Sequence, residues 1–366
     1  PVKENKRRKN LSSCKQSQPA QSASGKTSRL FLLVLILVGL VIFHWVAFIS
    51  RNYFHREKQE NEAPPAVTSA WKNVDEHLAR AKTRRHFGGP LPEAIVSTVT
   101  SDVHGHFSVY IEDLKTGMWW GIREKDTYDA WSLMKVSTLV AVLKKAEREQ
   151  LSLEDKILLT QEELNHESPY IQHAKDENPE FTIKELAERM IEDSDDAAAI
   201  ALCKLVKFDE FQEGLRAAEM PLATPPNQLP RISPAQYANL LRSIYFADYL
   251  AEPSCDVIMA LMSSTVYNDQ LRAGVPKDVS VAHKVGFNAG TGDSHDCGIV
   301  FMPNRPYALC IMGTGTYKEE SDRVMSAVSR QVYEFMGSGI PVAFDFSEKK
   351  TVKSPRNQSR QLKRKG

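Results

Sequence analysis

Leu30 to Ile49, LFLLVLILVGLVIFHWVAFI, is a run of twenty residues without a formal charge. As a helix rising 1.5 Å per residue it spans roughly 30 Å, the thickness of a bilayer's hydrocarbon core. A helix packed on a soluble core usually keeps a polar stripe, and this run offers only His44. A cleaved signal peptide has a shorter apolar core and a small-x-small cleavage site, for which Ala47-Phe48-Ile49-Ser50 is a poor fit. The run therefore reads as an uncleaved transmembrane helix over 30–49. Lys3, Lys6, Arg7, Arg8, Lys9, Lys15, Lys26 and Arg29 precede it, whereas Arg51, Arg56 and Lys58 follow among Glu57, Glu60 and Glu62. The positive-inside rule then makes 1–29 a basic cytoplasmic segment of a single-pass membrane protein. Everything after residue 50 is expected outside the membrane, extracellular or periplasmic.

Charge follows the same division. The whole chain of 366 residues carries +1, but residues 1–29 carry +7 and residues 349–366 carry +8, which leaves −14 between them. An acidic body with basic ends excludes a basic nucleic-acid-binding domain, so no specific nucleic-acid partner is expected. Five cysteines are too few for a disulfide scaffold, and no Cys/His spacing suggests zinc. His104, His106, His283 and His295 form no metal-ligand pattern. Neither a metal nor an organic cofactor is expected.

Beyond the anchor, residues 50–89 read as a polar tether ending its first part in Ala63-Pro64-Pro65, with a helix expected over Val67–Arg85 from Trp71, Val74, Leu78 and Ala81. Gly88-Gly89-Pro90 breaks it, and the folded domain is expected over 90–346. It opens with a short helix, Pro92–Ser101. His106–Glu112 and Gly117–Ile122 follow as a hairpin around Asp113-Leu114-Lys115-Thr116. A helical region comes next: Ser132–Glu149, then a helix behind the capping box Thr182-Ile183-Lys184-Glu185, then one starting at Ser233-Pro234. Strand signals return at Val279–Val285, Cys297–Met302 and Tyr307–Gly313, with Pro303-Asn304-Arg305-Pro306 as the last turn. A helix from Glu319 to Met336 closes the domain, and the basic tail 347–366 has a disordered composition. Two strands, an all-helical middle, three strands and a helix are satisfied by one antiparallel sheet assembled from both ends with a helical lobe inserted. Trp119 and Trp120 are expected to place one ring in the core and one outside. Cys297 and Cys310 are expected to remain buried free thiols, diagonal across the last hairpin.

Three short motifs sit where these blocks meet. Ser132-Leu133-Met134-Lys135 puts a hydroxyl and an amine one turn apart at a helix start, where the dipole favours negative charge. A neutral or proton-sharing Lys135 can act as a base on Ser132. Ser194-Asp195-Asp196 precedes Ala197-Ala198-Ala199, and His283-Lys284-Val285-Gly286 lies on the strand that reopens the sheet. Each has a plain structural explanation alone: surface Ser and Lys, an acidic N-cap, an edge-strand Lys before a flexible Gly.

Jointly and in this order, the three resemble the signature of the serine β-lactamase and penicillin-binding protein superfamily, SxxK, SDN and KTG. TYDAWSLMKVSTLVAVLKKAE and FTIKELAERMIEDSDDAAAIAL are similar to the class A β-lactamase neighbourhoods of the first two motifs, and the resemblance runs from Leu91 to Met336. It implies a β-lactamase-like α/β (α+β) fold: a five-stranded antiparallel sheet flanked by helices, with an inserted all-helical lobe. It also implies a serine hydrolase working through an acyl-enzyme on an amide or ester, by resemblance a cell-wall peptide, with peptidoglycan as a partner. Ser132 would be the acylated nucleophile, Lys135 its base, Ser194 the proton donor to the leaving nitrogen, and Lys284 a positive charge beside them. The oxyanion hole would use the N–H groups of Ser132 and of Phe287, the residue after Gly286.

The chain departs from that pattern at two signature positions. Asp196 stands where the family has Asn; ionised, it accepts hydrogen bonds only and would hold Lys135 protonated, although a protonated Asp196, or Asp196 as the base, are also open. Val285 replaces Thr or Ser, removing a hydroxyl that in the family helps bind the substrate carboxylate. Between the second motif and the Ser233 helix, where class A enzymes carry a deacylating Glu and an Asn, the stretch GLRAAEMPLATPPNQLPRIS offers only Glu219, which reads as a surface residue. Slow turnover of β-lactams is the expectation. Two other functions are compatible with these departures: a catalytically impaired binding or scaffold protein, and an esterase or amidase with a non-β-lactam substrate. The basic tail would contact anionic polymers or lipid headgroups, or serve only solubility.

Overall fold

The computed structural model describes residues 85–86, 91–164, 179–224 and 229–338. The expected transmembrane helix, the basic segments at both ends and nearly all of the tether lie outside the described residues. Among the described residues no helix is long and apolar enough to cross a membrane.

The sheet contains β1 (Arg85–His86), β2 (His106–Asp113), β3 (Met118–Ile122), β8 (Val281–Asn288), β9 (Asp293–Val300) and β10 (Tyr307–Thr314), in the spatial order β1-β3-β2-β10-β9-β8. It is assembled from both ends of the domain, and β10 pairs antiparallel with β2 and β9. The expected five strands become six, because β1 adds a two-residue parallel edge to β3. Arg85, expected to end a helix, is in that strand. Two small pairs, β4 (Tyr128–Asp129) with β7 (Arg231–Ile232) and β5 (Lys156–Leu158) with β6 (Glu180–Thr182), stitch the helical lobe.

Alternation along the strands gives each sheet face its own core. Phe107, Val109, Ile111, Leu309 and Ile311 pack on α1 (Leu91–Thr100) and α9 (Lys318–Gly337). Tyr110, Ala282, Cys297, Ala308 and Cys310 face the helical lobe. That lobe comprises α2 (Met134–Glu147), α3 (Gln161–Leu164), α4 (Ile183–Glu192), α5 (Asp196–Leu205) and α6 (Phe208–Ala217), followed by α7 (Pro234–Tyr245) and α8 (Glu252–Ser263). Helix α2 is its axis: every residue from Met134 to Leu143 is buried, so it is surrounded rather than laid on a surface. The helix starts follow their caps. Thr182 closes the capping box read from the sequence, with Glu185, and Ser233, read as an N-cap before Pro234, closes a second one with Gln236.

Two expectations about the core are corrected. Trp119 packs toward the lobe, stacked on Tyr110 at 5.5 Å between centroids, and Trp120 packs toward the opposite core; both rings are used. Cys297 and Cys310 form a disulfide. The connection between β9 and β10 is Phe301–Pro306, longer by two residues than the expected turn, and this shifts the register so that the two cysteines lie directly opposite, with Cα atoms 4.1 Å apart.

Candidate active site

The three motifs converge where the sheet's β8 edge meets the lobe. Ser132 lies half-buried in a single 3-10 turn, Trp131–Leu133, that runs into α2; Lys135 occupies the first turn of α2 and is buried. The nucleophile turn is tied down from below: Tyr237 donates its hydroxyl to the carbonyl of Leu133 at 3.1 Å. Trp131, immediately before Ser132, has φ +47°, a left-handed conformation rare for a bulky aromatic.

Strand β8 reaches this turn because residue 286 is glycine. A Cβ there would stand 3.0 Å from the carbonyl oxygen of Ala130 and 3.3 Å from the Leu133 side chain. The missing side chain lets the backbone carrying Phe287 come against the backbone carrying Ser132, as two converging oxyanion amides require. The Phe287 side chain is exposed. Val285 is half-buried and paired with Asp296 across the strands.

The second motif links α4 to α5. Asp195 caps α5, its Oδ1 accepting from the Ala198 amide at 2.9 Å, so the capping role falls to the middle residue of the motif. Ser194, with φ +56°, is thereby turned out of the helix toward both lysines. Lys284 Nζ donates to Ser194 Oγ at 2.8 Å, and Lys135 Nζ reaches the same oxygen at 3.2 Å. Lys135 Nζ also donates to the Ser194 carbonyl oxygen and to Asp196 Oδ1, both at 2.5 Å. Ser194, Asp196, Lys135 and Lys284 are thus brought into one hydrogen-bonded cluster beside the nucleophile turn.

The two lysines have different electrostatic settings. Burial lowers the Lys135 amine from its ordinary value, and the Asp196 carboxylate opposes that shift. Lys284 is fully buried, and among the described residues no carboxylate is in ion-pair contact with it. Burial first, and the neighbouring Lys135 charge second, push it well below the ordinary lysine range. The ring of Tyr267 lies 5.8 Å from Lys284 Nζ, and its hydroxyl is anchored on the Asp193 carbonyl at 3.0 Å.

Glu219 is not in this cluster. It is exposed, and its charge acts on Asp248, next to Tyr249 whose carbonyl takes Lys144 near the far end of α2. Lys135 and Lys144 are separated by roughly 14 Å along that helix axis. His104 is exposed and His106 is paired with Asp126 at 2.7 Å, both away from the cluster.

Three contributors were not singled out from the sequence. Trp131 had a signal, as the residue next to the SxxK serine. Tyr267 and Asp293, whose Oδ2 accepts from the Trp131 indole at 2.7 Å, had none: both reach the site from positions distant in sequence.

A protein-family profile described as the Beta-lactamase enzyme family matches residues 91–336. Among curated relatives, β-lactamase BRO-1 of Moraxella catarrhalis is 24% identical over 235 residues, covering 58% of this chain and 74% of the relative. The imipenem-hydrolyzing β-lactamase of Enterobacter cloacae is 23% identical over 253 residues, covering 64% and 86%. Among solved structures, PBP-A superposes with a TM-score of 0.61 at 25% identity, covering 67% of this chain and 95% of PBP-A.

Proposed function

The chain belongs to the β-lactamase enzyme family, and we propose that it is an active serine hydrolase that carries its acyl intermediate on Ser132. The observation that carries this reading is Ser194 Oγ held between the two lysines, 2.8 Å from Lys284 and 3.2 Å from Lys135, beside a serine on a helix-entry turn. This is a proton path next to a nucleophile, which acyl transfer needs both to form the acyl-enzyme and to protonate the leaving group. The N–H groups of Ser132 and Phe287 would bind the oxyanion, brought together by the close approach at Gly286.

The substrate is an amide or ester, with a cell-wall peptide as the first candidate. Val285 offers no hydroxyl for a carboxylate, and Cys297, opposite Lys284 on β9, is committed to the disulfide. Carboxylated ligands are therefore bound less selectively than in a site with a hydroxyl there. With Glu219 remote from Ser132, acyl-enzymes formed by β-lactams are long-lived, and the chain behaves as a penicillin-binding protein rather than a fast β-lactamase.

The working location is the outer face of a membrane, with residues 30–49 as anchor, 50–89 as tether and the basic tail 347–366 as a contact for anionic polymers. The charge asymmetry around the apolar run supports this, and the Cys297–Cys310 disulfide fits an oxidising compartment. A catalytically impaired binding protein is the second reading, favoured by the Asp196 carboxylate on Lys135. Digestion and peptide mapping after treatment with an activated ester decides between them: the enzyme reading places the acyl group on the peptide containing Ser132, and an unlabelled peptide supports the binding protein.

A further inference from the structure

The charged groups of the cluster are shielded unequally. Lys284 has no exposed surface, and the Lys135 side chain is 9% exposed, whereas the Asp196 side chain paired with it is 46% exposed. The charged group that this pair presents to a ligand is therefore the acid. Asp293, bonded to the Trp131 indole beside Ser132, is a second acid near the nucleophile turn.

Lys284 is covered by a strap, residues 265–267. The Thr265 hydroxyl and the Val266 amide donate to the Glu192 carbonyl at 3.1 and 3.2 Å, and the Tyr267 hydroxyl donates to the Asp193 carbonyl at 3.0 Å. These bonds fix the strap against the turn that carries Ser194 and bring the Tyr267 ring over Lys284 Nζ, 5.8 Å from its centroid. Cations on the flanking segments are committed elsewhere. Arg189 pairs with Asp193, and Lys318 pairs with Asp322 and Asp269. Arg272 donates to the carbonyls of Val275, Pro276 and Lys277. The Gln270 amide donates to Ser294 Oγ, on β9 opposite Phe287, and to Asp322, both at 2.9 Å. A ligand carboxylate entering beside Lys284 would lose its water and meet an acid instead of a cation.

What this edge does expose is aromatic: Tyr267 is 39% exposed and Phe287 47%, with Val285 half-buried on the strand between Lys284 and Gly286. We propose that Tyr267 denies Lys284 to ligands and, with Phe287, forms an apolar subsite, so that the chain selects amides or esters with no free carboxylate beside the scissile bond. An internal peptide bond next to an apolar or aromatic side chain fits this subsite, as does a neutral ester. A terminal residue with its carboxylate free does not. The inference rests on the proposed acyl transfer at Ser132 and narrows the substrate class of that site. Tyr267 acts on which ligand binds, and it is a specificity-determining residue.

A penicillin and its methyl ester differ at the one group in question. With the full chain in detergent micelles, the methyl ester is expected to acylate the wild-type protein at least as fast as the acid. Tyr267→Ala is expected to move the acid-to-ester rate ratio toward the acid by roughly tenfold or more, because it uncovers Lys284. Tyr267→Phe keeps the ring and loses only the anchor on Asp193; it is expected to move the ratio the same way by a smaller factor. Preference of the wild type for the acid overturns the proposal, and so does a ratio that neither variant changes. Calorimetric binding of the two compounds to Ser132→Ala reads recognition without acylation. The methyl ester is expected to bind at least as tightly as the acid, and tighter binding of the acid, or binding of neither, overturns the proposal. If the wild-type chain is acylated by neither compound while Ser132→Ala shows the expected ranking, the proposed function fails and the selection by Tyr267 stands.

Discussion

Trp131 donates its indole Nε1–H to Asp293 Oδ2 at 2.7 Å, joining the residue before the nucleophile to the first residue of β9. Asp293 also accepts from the Thr291 hydroxyl at 2.7 Å; despite burial, hydrogen bonds from Thr314, Thr291 and Trp131 hold its carboxyl below the usual range. The partner strand of β9 is β8, which carries Phe287, so one bond ties together the backbone segments bearing both expected oxyanion amides. The left-handed conformation of Trp131 costs about 1–3 kcal/mol, and a hydrogen bond to a charged group contributes about 1.5–3 kcal/mol. The two are of matching size, which is how the strained turn is held.

Trp131→Phe keeps the ring and removes the N–H. The expected result is a fall in the acylation rate constant of roughly tenfold or more, with little change in apparent substrate affinity, because the amides are displaced in the transition state rather than the cleft closed. Stopped-flow acylation over a range of ester concentrations separates the two parameters. A change confined to affinity contradicts the account.

Asp196→Asn removes the carboxylate from Lys135. Because that carboxylate raises the Lys135 pKa, its loss lets Lys135 become neutral at lower pH. Asparagine also restores an N–H donor toward the substrate. Acylation by a penicillin is expected to rise several-fold, and its rising limb with pH to move to lower pH. A pH series of acylation rates checks both, and loss of acylation instead would make Asp196 an essential carboxylate.

Reduction of Cys297–Cys310 releases a loop with a sequence separation of 13 residues. Chain-entropy arguments assign such a loop about 3 kcal/mol. Urea unfolding of the Cys297→Ala/Cys310→Ala variant is expected to show a loss of that order; no loss would mean that packing around the sulfurs carries the hairpin alone.

His295 is buried, with Nε2 donating to the Asp129 carbonyl at 3.0 Å. Burial depresses its pKa, so the folded state binds fewer protons than the unfolded chain. Its contribution is complete above the unfolded value of about 6.5 and is lost as pH falls below it, with a slope of at most about 1.4 kcal/mol per pH unit. Replacing His295 with Asn is expected to flatten the stability profile between about pH 5 and 6.5. Urea midpoints across that range test it, and an unchanged slope contradicts it.

The strand–lobe–strand order was legible because β2, β3, β8 and β10 are rich in apolar residues, and because α4 announces its start with a capping box and α7 with an N-cap Ser233 before Pro234. The edge strand β1 was not: two residues in a polar stretch carry no periodicity, and they pair only because β3 is there to receive them. The disulfide was missed through a two-residue error in one turn length, since register converts a small loop difference into opposite or diagonal pairing. Ser132, Ser194 and Lys284 were readable as a set from their order. The three-way satisfaction of Lys135 was not, because it depends on the left-handed Ser194 placing both its oxygens on one amine.

The most direct test of the central claim is the intact mass of the protein followed over time with a penicillin and with an activated ester, beside Ser132→Ala. The account predicts adducts of one acyl group, formed with either reagent and lasting with the penicillin, that vanish in the Ser132→Ala protein. Absence of any adduct, or an adduct that persists when Ser132 is replaced, would contradict it.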